Sequence, residues 1–336
     1  VVEDKPLMDV VITGASGYLG QHLTAELAQR GDSVRAIVRE TSPAADVALL
    51  KTLGAKIFAG KLSAGTNSPL TEAFAGADCA VHLIGSVAPP KGGPGIEELH
   101  QSYTGYFASA CAAAGVKKAV LVTALGADEK SSSLYLASKR KAEMAFIECL
   151  EAAGAASAVI RPSLIVGRKV GGRDSKLVER YRTILSTRPV VPLVGGGVNM
   201  LEPVFVGDLA CAIVEALAQM PVFKAGGQGQ KIDAQIIEIG GPQKMSMKQF
   251  VEALASSMGV SKPMVNMPYA VASMAAGLLA VLQDVPLLSA DQVKLAAEDM
   301  VCTVNALPRL IAPKLPTTLN QALLTYQSGA AAKSPP

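Results

Sequence analysis

The sequence contains no tryptophan, and its aromatic residues together make up only 4% of the chain. So thin a supply excludes the stacking platforms on which single-stranded nucleic acids are bound. Charge of either sign is scarcely in excess, since 31 Lys and Arg against 28 Asp and Glu leave a formal +3 over 336 residues. That gives no electrostatic case for nucleic acid as a partner, and any basic function must be local. The three histidines and five cysteines are scattered, with no Cys-x-x-Cys pair, so neither a zinc site nor a disulfide scaffold is expected. Cys79, Cys111, Cys149, Cys211 and Cys302 read as reduced core thiols. Long hydrophobic runs are missing too. The longest, Tyr269 to Leu282 between Pro268 and Gln283-Asp284, is too short at about 1.5 Å per residue to cross a hydrocarbon layer of about 30 Å. A helix apolar around its whole circumference still needs cover from the protein's own core, a partner or a membrane surface.

The chain is 50% hydrophobic and 18% charged, the reverse of a disordered composition, and its length suits one large α/β unit or two domains. Val1 in place of Met fits either removal of a targeting peptide or a trimmed chain, and the sequence does not choose. Up to about residue 167, short β-branched runs alternate with helical segments. Strands are predicted at Val10–Thr13, Ser33–Val38, Lys56–Ala59, Ala80–Ile84, Ala119–Val122 and Ala158–Arg161. Helices are predicted at Gly20–Arg30, Ala44–Leu53, Leu99–Ala114 and Tyr135–Ala153. This is the pattern of a Rossmann-type, doubly wound parallel sheet, an α/β fold. Residues 1–166 form the expected dinucleotide-binding domain, and 167–327 a smaller mixed α/β region interleaved with the same sheet. There Gln235–Ile239 reads as a strand, and Ser246/Gln249 and Ser289/Gln292 as capping boxes. Lys224–Lys231 reads as a surface loop and 328–336 as a disordered tail.

The strongest motif is Gly14-Ala15-Ser16-Gly17-Tyr18-Leu19-Gly20, running from the first strand into the first helix. Gly14 permits the tight turn, Gly17 lets backbone approach a pyrophosphate, and Gly20 allows close packing of helix on strand. The amides at the helix start, around Ser16, Tyr18 and Leu19, then bind the anion. Arg39 ends the second strand, where an acidic residue would accept the ribose hydroxyls of NAD. A guanidinium there suits the 2′-phosphate, so NADP(H) is the expected cofactor, with Arg35 on the sheet's other face. The alternative is an ordinary exposed cation beside Glu40.

These residues carry a resemblance to the extended and atypical branch of the short-chain dehydrogenase/reductase superfamily over nearly the whole chain. The resemblance implies cofactor contacts at Ile84-Gly85 after the fourth strand, at Leu62, and at Pro162 of the Arg161-Pro162 pair. Relatives commonly carry Asp-Leu where Lys61-Leu62 stands. It also implies a Tyr-x-x-x-Lys pair, matched by Tyr135 and Lys139, four apart on one helix face and both contacting cofactor. A nearby ammonium favours tyrosinate, so the pair is expected to lower the phenol pKa and exchange a proton with a carbonyl or alcohol. The position after the fifth strand that holds a substrate oxygen in active relatives falls on or near Leu125. Thr123 offers the nearest substitute, as a catalytic and cofactor-contacting residue that is either active or vestigial. Ser131–Ser133 read as a helix start, and His22, His82 and His100 earn no catalytic role. Arg168, Lys169, Arg173 and Lys176 read as a solvated loop or as a site for an anionic substrate, a lipid headgroup or an acidic partner.

Within the superfamily, the runs 122–143, 160–163, 202–210, 289–293 and 298–301 are similar to the thirty-nine-kilodalton NADPH-binding accessory subunits of respiratory complex I and their bacterial relatives. That resemblance implies a structural nucleotide, complex I subunits as partners with docking after Pro268, and the matrix side of the mitochondrial inner membrane. The competing expectation is a free NADPH-dependent reductase or epimerase acting on a small carbonyl or sugar-nucleotide substrate, placed in a bacterial cytoplasm.

Overall fold

The computed structural model describes residues 6–63, 71–87, 92–221, 235–282 and 288–331. β1 (Asp9–Thr13) leads through α1 (Tyr18–Arg30) to β2 (Ser33–Val38), then α2 (Ala44–Thr52), β3 (Lys56–Ala59), α3 (Thr71–Phe74) and β4 (Cys79–His82). A π-helical turn, Glu98–Ser102, runs into α4 (Tyr103–Ala114), followed by β5 (Lys118–Val122), α5 (Leu134–Ala152) and β6 (Ala156–Pro162). The remainder comprises β7 (Ile165–Val166), α6 (Lys176–Thr187), β8 (Val191–Val194), β9 (Met200–Leu201), β10 (Val204–Phe205) and α7 (Val206–Gln219). After it come β11 (Gln235–Ile239), β12 (Met245–Ser246), α8 (Met247–Ser257), β13 (Met264–Met267), α9 (Tyr269–Leu282), α10 (Ala290–Leu295), α11 (Leu307–Leu310) and α12 (Leu319–Ala331).

Seven parallel strands form one sheet in the order β3-β2-β1-β4-β5-β6-β11. The order reverses between β1 and β4, and the crevice at their carboxyl ends is where such folds hold ligands. The five inner strands are buried on both faces and are apolar at most positions. Val10 and Ile12 face a core shared with Leu23 and Leu27 of α1 and Leu209 and Ile213 of α7. Val11 and Leu121 face Phe107 of α4 and Phe146 of α5. Phe107 packs edge-on to Phe74 with centroids 5.9 Å apart, and cutting back so buried a ring costs about 3–5 kcal/mol. A third core joins α6, α8, α12 and β8.

β4 leaves the sheet at His82, so Leu83 and Ile84 belong to the loop over the glycine turn. The final helix continues to Ala331, into the stretch expected to be disordered. Residues 332–336 and the expected Lys224–Lys231 loop lie outside the described residues. Both capping boxes form, Ser246 with Gln249 and Ser289 with Gln292. α9 is not buried all round. Ala272 and Ala276 pack on Val293, while Val271 is 52% and Met274 78% exposed. Among the described residues no helix is long and apolar enough to cross a membrane. Cys79, Cys111, Cys149, Cys211 and Cys302 are all free thiols.

Candidate cofactor site

Gly14 turns the chain out of β1 with φ +78°, where a Cβ would lie 3.2 Å from backbone atoms of Leu83 and Ile84. The Gly17 N–H closes the turn onto the Gly14 carbonyl at 2.9 Å. A Cβ on Gly20 would stand 2.4 Å from the Gly14 oxygen, so any larger residue would lift α1 off β1. α1 starts at Tyr18 with no side-chain cap on Gly17 and no acidic residue in its first turn, which leaves the leading amides free for an anion. Leu19 is buried in the core beneath, and Ser16 Oγ lies 3.2 Å from Ser42 Oγ, drawing the loop after β2 toward the turn.

Arg39 is exposed at the end of β2, and among the described residues no carboxylate pairs with it. It lines a shallow depression of about 510 Å³ together with Lys51, Val47 and Ile57. Arg35 is committed elsewhere, gripping Asp9 through two nitrogens and bonding the Ala73 and Ala75 carbonyls. Leu62 is buried against the α4 side of the sheet. Lys61 stands 3.7 Å from Glu98, with its ammonium 5.5 Å from the centre of the Tyr103 ring.

α5 brings Tyr135 and Lys139 to the loop after β4. Lys139 is only 5% exposed, and a Cβ on Gly85 would meet its Nζ at 2.6 Å. Burial pushes this ammonium down to about 8, against an opposing pull from Glu143. The Tyr135 phenol is pushed up to about 12 by burial and the neighbouring Asp291 carboxylate. The expected lowering by Lys139 is therefore corrected: the ammonium sits 5.9 Å from the ring centre, and the surroundings favour neutral phenol.

Thr123 also departs from expectation. Its hydroxyl donates to buried Glu143 at 2.7 Å, and that carboxylate is held further by Arg161 and Arg140. The hydroxyl proton thus points into the second layer, and Leu125, at the expected hydroxyl position, is buried with its N–H on the Pro162 carbonyl at 3.1 Å. The basic cluster is neutralised as well. Arg168 faces Asp174, Lys169 faces Glu26, Arg173 grips Asp46 at 2.6 Å, and Lys176 pairs with Glu179. These four cations are accounted for by carboxylates of this chain.

Three residues enter the site that the sequence reading passed over. His100, in the π-helical turn, accepts from the Ser86 N–H at 3.3 Å and reaches Ser138 Oγ through Nδ1 at 2.8 Å, with its ring 5.3 Å from that of Tyr135. The two partners require the neutral tautomer protonated at Nδ1. Asp291 closes the start of α5, accepting from Ser133 Oγ, Leu134 N and Tyr135 N at 2.9, 2.7 and 3.1 Å. Glu143 is the third. His82, bonded to Thr13 Oγ at 2.7 Å, is a buried core residue.

Residues 14–166 match a protein family described as NAD(P)H-binding. Over 95% of this chain and 78% of the relative, the sequence is 25% identical to NADH dehydrogenase (ubiquinone) 1 alpha subcomplex subunit 9, mitochondrial, of Arabidopsis thaliana. It is 30% identical to a ceramide reductase of Caulobacter vibrioides over 63% of this chain and 62% of that protein. Residues 14–166 of the chain thus form an NAD(P)H-binding domain of the matched family. The solved structure of MoeE5 with UDP-glucuronic acid and NAD superposes with a TM-score of 0.69 over 97% of this chain and 100% of that one. At 18% identity it speaks for the fold.

Through this NAD(P)H-binding domain the chain binds a nicotinamide dinucleotide, and its own geometry fits one. Gly14 and Gly20 have no room for a side chain in the turn, the amides at the start of α1 are uncapped, and Lys139 is held against Gly85. When bound, the group supplies a hydride donor or acceptor. Of the residues proposed to hold it, Gly14, Ser16, Gly17, Tyr18, Leu19 and Gly20 form the turn, Ile84 and Gly85 the facing loop, and Tyr135 and Lys139 one face of α5.

Proposed function

We propose that this protein is an NADP(H)-binding accessory subunit of respiratory complex I in which the nucleotide is a structural element. One observation carries the reading. The chain keeps the cradle and the buried Lys139, but after β5 the described residues place no free hydroxyl where a substrate oxygen would be held, because Leu125 fills that position and the Thr123 hydroxyl donates to Glu143. Site architecture of this kind supports binding without turnover. Arg39, exposed at the end of β2 with no carboxylate paired to it among the described residues, supports NADP(H) over NAD(H). The similarity to the Arabidopsis subunit extends into the C-terminal region, where α9 presents Val271 and Met274 to the outside. That supports attachment to an assembly on the matrix side of the inner mitochondrial membrane, or to the corresponding bacterial complex. Native fractionation of source membranes tests it: the chain should run with a large respiratory assembly and carry NADP(H), and migration as a free protein would refute it.

A second reading is favoured by Tyr135 and Lys139 standing together beside His100. It makes the protein a free NADPH-dependent reductase, and the Caulobacter relative is named a ceramide reductase.

A further inference from the structure

The stretch Gly167–Arg173, which leaves β7, crosses the outer side of α1 and reaches α2. Its first two residues are tied to α12: Gly167 N donates to Tyr326 Oη and Arg168 N to Thr325 Oγ, both at 2.8 Å. From below, Tyr18 of the glycine motif donates its hydroxyl to the Gly167 carbonyl. At the far end Arg173 grips Asp46, which also accepts from Gln21 Nε2, and the same Gln21 nitrogen bonds the Ser16 carbonyl inside the cradle. The strap is thus fastened to the element that presents amides to the nucleotide.

Its middle hangs on one side chain. His22, 1% exposed, donates from Nδ1 to the Tyr18 carbonyl at 2.8 Å and accepts at Nε2 from Lys169 N at 2.9 Å and Val170 N at 3.3 Å. A proton on Nε2 would face two N–H donors, so these contacts exist only with the neutral ring. We propose that His22 is a positioning residue for the nucleotide site, holding the 167–173 strap against the phosphate-binding helix and releasing it, with faster loss of nucleotide, when its ring is protonated. The proposal rests on the cofactor reading above. Burial lowers the affinity of His22 for a proton, and the cations of Lys169 and Arg168 act in the same direction. Its own helix also carries Glu26, α7 packed on that helix carries Cys211, Asp208 and Glu215, and Arg173 and Asp46 pair at the far end of the strap. Lys314 stands beside Asp208, and Asp174 and Tyr326 lie behind Tyr18.

Amide hydrogen exchange on the full chain, corrected for intrinsic rates, tests the strap without nucleotide. Between about pH 7.5 and about pH 5, protection at Lys169 and Val170 should fall about tenfold in the wild type and hold in His22→Gln, which accepts without titrating. Gly167 and Arg168, bonded to hydroxyls, should stay protected in both. Should His22→Gln not fold, the contrast between the two wild-type amide pairs decides. Release of bound NADP(H), measured over the same range, should quicken about tenfold in the wild type and less in the variant. Equal exchange profiles for the two amide pairs would overturn the proposal. So would a strap that opens without changing release, an outcome that leaves the cofactor site standing. Failure to bind NADP(H) near neutral pH would overturn both readings.

Discussion

Asp291→Ala removes the acceptor at the start of the helix that carries Tyr135 and Lys139. Three bonds are lost, to Ser133 Oγ, Leu134 N and Tyr135 N, of which the Leu134 N–H is exposed and can return to water. Ser133 Oγ still accepts from Leu136 N at 3.4 Å, so one cap survives. Losing a helix cap costs about 0.5–2 kcal/mol, and losing a carboxylate at a helix N-terminus about 0.3–1 kcal/mol more. The sum places the destabilisation at about 0.8–3 kcal/mol, with Asp291→Asn at about half that because the side chain still accepts. Denaturant unfolding measures this directly. A second readout comes from the phenol: the Asp291 carboxylate helps hold Tyr135 at about 12, so tyrosinate absorbance should appear at lower pH in Asp291→Ala, with Tyr135→Phe identifying the signal. A stability loss below about 0.5 kcal/mol with an unmoved phenol titration would refute the reasoning.

Gly85→Ala would place a methyl 2.6 Å from Lys139 Nζ, the free end of a flexible chain. The fold should lose no more than about 1 kcal/mol, while nucleotide affinity drops about tenfold in a binding titration; unchanged affinity would remove Lys139 from the site. Arg39→Asp should reverse the preference between NADPH and NADH in the same titration, and Gly17→Val should abolish both; a retained NADPH preference would dismiss Arg39 as the selector. Lys139 titrates at about 8 when folded against an ordinary 10.5, so between those values the unfolded chain binds a proton that the folded chain does not. The Lys139 contribution to the stability of the nucleotide-free protein therefore rises with pH across that window, opposite in sign to that of the buried thiols raised above their ordinary 9, so Lys139→Met should make the slope less positive or more negative; equal slopes would contradict the burial argument.

What was legible in the sequence is what depends on neighbouring residues. The glycine turn, the alternation of strands and helices, and the two Ser/Gln capping boxes are encoded within a few positions, and each stands in the structure where its spacing placed it. The site chemistry was less legible, because it depends on residues brought together from far apart. Asp291 reaches Tyr135 across 156 positions, and no periodicity marks such a pair. Thr123 reads as a free hydroxyl until Glu143, on the following helix, accepts its hydrogen bond. In the cluster Arg168–Lys176, Asp174 and Glu179 are local partners, but the carboxylates that neutralise Lys169 and Arg173, Glu26 and Asp46, lie on the first two helices and leave no local mark. The phenol follows the same logic. A Tyr-x-x-x-Lys spacing fixes which face two side chains share, whereas the burial and the distant carboxylate that raise Tyr135 are properties of the assembled fold.

The central claim is that the cradle holds NADP(H) as structure rather than as reagent. Its most direct test follows the absorbance of NADPH in the presence of the purified protein and an excess of carbonyl substrates, including long-chain 3-oxo compounds. The account predicts that the nucleotide stays bound and is not consumed, with Tyr135→Phe indistinguishable from the wild type. Sustained oxidation over many turnovers that disappears in Tyr135→Phe would contradict it.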